Sequence, residues 1–115
     1  MIVKAGTKLI LFESALDRLC LSLNLEYAKE LKFHSLRKFR FDFAIPTAKL
    51  AIEVEGGIFK NGGHTRGRGY MKDLEKYNLA ITQGWYVLRY SYETLCHIDT
   101  IKQIETVLKN LTGRW

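Results

Sequence analysis

The stretch Arg40-Phe41-Asp42-Phe43-Ala44-Ile45-Pro46-Thr47-Ala48-Lys49-Leu50-Ala51-Ile52-Glu53-Val54-Glu55 reads as two short apolar strands meeting at a turn around Pro46-Thr47. Asp42 stands inside the first strand, between two phenylalanines. Glu53 and Glu55 stand near the end of the second and, two residues apart, share one face of it. A carboxylate inside an apolar strand is costly unless something compensates its charge. Three of them on adjoining strands repel one another, and a bound divalent cation is the usual remedy. Magnesium takes oxygen ligands, often one or two carboxylates together with water and a substrate phosphate.

Outward from this hairpin, periodicity orders the rest of the chain. Leu9, Phe12, Leu16, Leu19 and Leu23 recur every three or four residues and predict an amphipathic helix from about Leu9 to Leu23. Lys29 to Phe33 reads as a weak strand. Lys38 to Ile45 and Leu50 to Glu55 are the antiparallel pair. Residues 56 to 68 hold five of the nine glycines and read as a mobile, basic loop. Tyr70 to Gln83 predicts a second helix with Leu74, Tyr77, Asn78 and Ile81 toward one side and Gly84 as its stop. Trp85 to Tyr90 reads as an apolar strand, central in the sheet, and Ile98 to Leu111 as a last amphipathic helix. The class is α/β: a central mixed β-sheet flanked by helices, in the order α-β-β-β-α-β-α, forming one domain over residues 1 to 115.

Composition narrows the function. The chain has 47% hydrophobic and 26% charged residues, as ordinary globular proteins do, and no apolar run nears the roughly 20 residues that span a bilayer. No signal-peptide pattern opens it, and Cys20 and Cys96 form no Cys-x-x-Cys pair; buried thiols in a reducing cytoplasm are expected. The net charge is +6 and the pI about 9.4. Its cations cluster on either side of the acidic strands: Arg37, Lys38 and Arg40 before Asp42, then Lys60, Arg66 and Arg68 after Glu55. Basic clusters with interleaved aromatics favour a nucleic-acid partner, because neutralised phosphates release counterions.

Asp42, ten intervening residues, then Glu53-Val54-Glu55 resembles the PD-(D/E)XK nuclease superfamily, the restriction-endonuclease-like fold. Glu55-Gly56-Gly57, the His64-Thr65-Arg66-Gly67 loop, Asp73-Leu74-Glu75-Lys76-Tyr77-Asn78 and Gly84-Trp85-Tyr86-Val87-Leu88-Arg89 extend the likeness over about residues 37 to 92. It is nearest in flavour to small phage-type and VRR-NUC-like nucleases and, more distantly, to very short patch repair endonucleases. One departure stands out: the lysine usual two residues after the glutamate is replaced by Glu55.

The resemblance implies an endodeoxyribonuclease in which Asp42, Glu53, Glu55 and, from the first helix, Glu13 hold magnesium, with manganese as a substitute. The role of the missing lysine would pass to Lys72 or Lys76 on the helix after the loop, or to His64. A neutral histidine, with an unperturbed pKa of about 6.5, suits water activation. Arg37, Lys38, Arg40, Lys60, Arg66 and Arg68 would grip DNA phosphates. A chain this short has no room for a separate sequence-recognition domain, which argues against a restriction enzyme with a long target. A small basic nuclease of this fold most resembles structure-selective enzymes, and that resemblance implies a Holliday-junction resolvase acting as a homodimer. A mismatch-repair-type nicking enzyme and a non-catalytic DNA-binding module of the same fold stay open as alternatives.

Overall fold

The computed structural model describes residues 5–56 and 68–115, and the side chains of Ala5 and Arg68 are not among what it describes. Helix α1 (Ala5–Ser22) leads into strands β1 (Ala28–Lys32), β2 (Arg40–Ile45) and β3 (Leu50–Glu55). A single 3-10 turn, Pro46–Ala48, joins β2 to β3. Helix α2 (Arg68–Thr82), strand β4 (Tyr86–Ser91) and helix α3 (Ile98–Thr112) complete the order. The sheet runs β1-β2-β3-β4, with β1–β2 and β2–β3 antiparallel and β3–β4 parallel. This is the mixed α/β sandwich that the hydrophobic periodicity predicts.

Two apolar clusters cover the two faces of the sheet. On one, Phe12, Leu16, Leu19 and Cys20 of α1 and Ile104 and Leu108 of α3 pack on Phe43, Ile45, Leu50 and Ile52. On the other, Ala80 of α2 and Trp85 meet Phe41, Ala44 and Ala51, with Phe33 stacked on Phe41 at 4.1 Å between ring centroids. Helix ends obey local chemistry. α2 stops at Gly84, whose φ of 83° suits a residue without Cβ; Gly84 N–H bonds the Ile81 carbonyl and Trp85 N–H that of Ala80. α1 stops the same way at Asn24, with φ 56°.

Three expectations are corrected. β4 is not central: it lies at the sheet's edge beside β3, and Tyr86 is 59% exposed. Its Val87-Leu88 run is apolar because helices cover both its faces, Val87 joining one cluster and Leu88 and Tyr90 the other, while Arg89 and Ser91 make its second half polar. The α2 stripe is also turned. Lys76, Tyr77 and Ala80 face the sheet, while Leu74, Asn78 and Ile81 are exposed. Small Ala80 lets the helix approach Trp85, which fixes that rotation. Finally, only Cys20 is buried; Cys96 is exposed. The expected loop of residues 56 to 68 lies outside the described residues apart from Gly56 and the backbone of Arg68.

Candidate active site

Backbone pairing between β2 and β3 joins Ile45 to Leu50, Ala44 to Ala51 and Phe43 to Ile52. Beyond that point side chains take over the ladder. Asp42 N–H donates to Glu53 Oε2 at 2.8 Å, and Val54 N–H donates to Asp42 Oδ2 at 2.7 Å. Each acid thus satisfies a backbone donor at or beside the other, which holds both carboxylates where the strands part.

Glu53 is 4% exposed, the one buried acid among the described residues. Its Oε1 receives Lys76 Nζ from α2 and, at 3.3 Å, the hydroxyl of Tyr77. Lys76 itself lies 5.8 Å from the Phe41 ring centroid and 5.5 Å from that of Tyr77. Burial raises the Glu53 carboxyl above its ordinary range, against the lowering pull of Lys76 and of the Asp42 N–H. Glu55 is half-buried and bonds Arg89 Nε at 2.5 Å, and Arg89 lies 4.5 Å above the Tyr77 ring. The parallel register sets Glu53 beside Arg89 and Glu55 beside Ser91, so Arg89 reaches Glu55 along the diagonal.

Asp42 lines a different side of this junction. With Leu9, Glu13, Lys29, Glu30, Phe43, Val54 and Tyr92 it walls an open cleft of about 470 Å³ between α1 and the sheet. Glu13 is fixed there by the Tyr27 hydroxyl at 2.8 Å and Lys29 Nζ at 3.3 Å. Burial and that bond to Glu13 push the Tyr27 phenol up to about 12, so it is a hydrogen-bond donor at any physiological pH.

The structure therefore brings Asp42 together with Glu53 and, across the cleft, with Glu13. Of the two helix lysines it brings Lys76 to Glu53, and Lys72 is exposed one turn earlier. Lys38 and Arg40 are exposed, whereas Arg37 is held by both its terminal nitrogens to Glu75 and lies 4.8 Å above the Phe39 ring. His64, Lys60 and Arg66 lie outside the described residues, as does the side chain of Arg68. Among the described residues no three acidic, histidine or cysteine side chains converge on one metal-sized position, since Glu53, Glu55 and Glu13 each already face a cation.

No protein-family model and no curated protein matches the chain. Among solved structures, it is similar to the catalytic domain of the homing endonuclease I-Bth0305I. The TM-score is 0.60 at 22% identity, over 88% of this chain and 96% of that domain. The chain shares the fold of a nuclease domain.

Sequence reasoning missed three contacts of the candidate acids. Tyr77, expected in the core, donates to Glu53; Tyr27 orients Glu13; and Arg89 pairs with Glu55. The Arg89 contact had a signal, since parallel pairing of β3 with β4 in this register puts Arg89 opposite Glu53 and diagonal to Glu55. Tyr27 had none, because its partner is 14 residues away on a helix.

Proposed function

We propose that the chain is a divalent-metal-dependent endodeoxyribonuclease of the PD-(D/E)XK type, acting on branched DNA. The observation that carries this reading is the interlocked pair Asp42–Glu53 at the parting of β2 and β3, with Lys76 delivered to Glu53 from α2. Lys76 supplies, from the helix, the cation that the motif usually carries where Glu55 stands. The fold likeness to a homing endonuclease's catalytic domain supports the same class.

The donor set fits magnesium. Asp42 and Glu13 offer hard oxygens from two elements across an open cleft, and magnesium asks for one or two carboxylates with water and phosphate for the rest. Glu53 and Glu55 stand as the further acids. When bound, such an ion lowers the pKa of water and offsets charge on the phosphate. In the protein's own part, Asp42 and Glu13 position that charge. Lys76, held by Glu53 and the Tyr77 ring, stabilises negative charge developing on the phosphate oxygens. His64 and Lys72 are proposed as further groups near the scissile phosphate. Lys38, Arg40, Lys60, Arg66 and Arg68 hold flanking phosphates, which positions DNA without reading its sequence. Two such sites in a two-fold homodimer match a four-way junction.

The direct test offers four-way junction, flapped, mismatched and linear DNA side by side, with magnesium and with a chelator, while light scattering reports assembly. We expect magnesium-dependent cleavage, strongest on the junction, by a dimer. A monomer that nicks mismatched DNA supports the nicking-enzyme reading instead. Binding with no cleavage in magnesium or manganese leaves a non-catalytic module.

A further inference from the structure

β1 and β2 pair at Ala28–Ala44 and Lys29–Phe43, and again at Leu31–Phe41 and Lys32–Arg40. The register is the same on both sides, yet the pair between them, Glu30 with Asp42, is missing from the ladder. Side chains change faces across that gap. Lys29 and Phe43 stand on the α1 side, where Lys29 reaches Glu13 and Phe43 meets Phe12 edge-on at 5.3 Å. Leu31 and Phe41, two residues along, stand on the α2 side with Trp85. In a regular strand residues two apart share a face. Here Glu30 and Asp42 instead follow their neighbours Lys29 and Phe43 into the cleft on the α1 side.

The backbone is irregular at the same place. Glu30 has φ of 53°, the left-handed region that a non-glycine residue rarely adopts, and never as part of a regular strand. No other residue within a described strand has a positive φ; Asn24 and Lys49 lie in turns. Without the switch, Phe41 and Phe43 would share one face and the Asp42 side chain would fall on the α2 side, away from Glu13.

We propose that the left-handed backbone of Glu30, not its carboxylate, is the positioning element that makes β1 and β2 exchange faces together and so stands Asp42 in the cleft opposite Glu13. The role in cleavage rests on the nuclease reading; the role in placing Asp42 does not. Local strain kept inside a strand is a feature that functional sites retain when the surroundings over-determine it.

The test is a series at residue 30 read in two ways. Glu30→Gly and Glu30→Asn accept the left-handed region and remove the carboxylate, whereas β-branched Glu30→Val resists it. The first readout is the nuclear Overhauser contact between the rings of Phe41 and Trp85, 5.0 Å apart, which needs Phe41 on the α2 side. The second is single-turnover cleavage of DNA in magnesium, with affinity measured separately. Glycine and asparagine are expected to keep the ring contact and to cleave within about threefold of wild type. Valine is expected to lose the contact and at least tenfold in rate at little-changed affinity. Lys32→Val, at an exposed and regular position of β1, controls for the substitution itself. If Glu30→Val fails to fold while Lys32→Val, Gly and Asn fold with the contact intact, the proposal stands. It is overturned if valine keeps both contact and rate, or if glycine and asparagine lose cleavage as valine does. Should wild type itself not cleave, the nuclease reading falls and the ring contact alone decides this one.

Discussion

Lys76 and Glu53 form an ion pair with side chains 14% and 5% exposed, and each needs the other. Removing one partner of such a pair strands a charge in a poorly solvated place. We expect Lys76→Met to lose about 3 kcal/mol of stability near pH 8. The sign of its pH dependence follows from Glu53. A carboxyl held above its ordinary range binds its proton more tightly in the folded protein than in the unfolded chain. It therefore takes stability away as pH rises from the ordinary carboxylate range through the raised value. Without Lys76 two lowering influences vanish and the value rises further, so the variant's deficit shrinks as pH falls toward 5. Urea unfolding at pH 5, 6.5 and 8 reads this; a deficit constant across that range would contradict it. At this scale the nearness of Asp42 to Glu53 was legible because charges inside apolar strands have few purely structural explanations, whereas sequence left Lys72, Lys76 and His64 open and the placement of α2 sets Lys76 on Glu53. Tyr77 and Tyr27 were not legible, since a tyrosine's hydroxyl leaves no trace in hydrophobic periodicity.

Elements were legible where apolar residues recur with a helix's period or run through a short strand bounded by a turn. α1, α3, β3 and the antiparallel hairpin emerged within a few residues of their true bounds. Periodicity failed for β4, because an edge strand covered on both faces carries the same apolar run as a central one. It failed again inside β2, where Phe41 and Phe43 imply a common face and the Glu30 backbone gives them opposite ones. For α2 the stop signal was the informative residue. Gly84 makes the turn that brings β4 alongside β3, and a side chain there meets open space but a left-handed backbone. Gly84→Ala is accordingly expected to cost about 1–2 kcal/mol through strain alone. Thermal unfolding measures this, and an unchanged midpoint would show that the turn relaxes freely.

Across the whole molecule 18 cations stand against 12 anions, a net charge of +6, and several of those cations already face an internal acid: Arg37 faces Glu75, Arg89 faces Glu55 and Lys29 faces Glu13. Sequence clusters of cations therefore overstate the surface available to phosphate, because pairing depends on where α2 lands. The Arg37–Glu75 fork is exposed, so it contributes at most about 1 kcal/mol. Glu75→Gln is expected to leave stability nearly unchanged, to free Arg37 and to tighten DNA binding. The logarithmic salt slope should steepen by about one. Anisotropy titrations over a potassium chloride series decide it, an unchanged slope meaning that Arg37 does not reach DNA. Among the described residues no helix is long and apolar enough to cross a membrane. The proposed chemistry is most directly tested at Asp42. Asp42→Asn keeps the side chain's shape and the acceptor for Val54 N–H while deleting the negative charge. Cleavage of branched DNA should require magnesium in wild type and fall at least a hundredfold in Asp42→Asn, with DNA affinity within a few-fold, consistent with loss of a charge that supports a metal-assisted step. Full cleavage by Asp42→Asn, or wild-type cleavage that persists in a chelator, would contradict it.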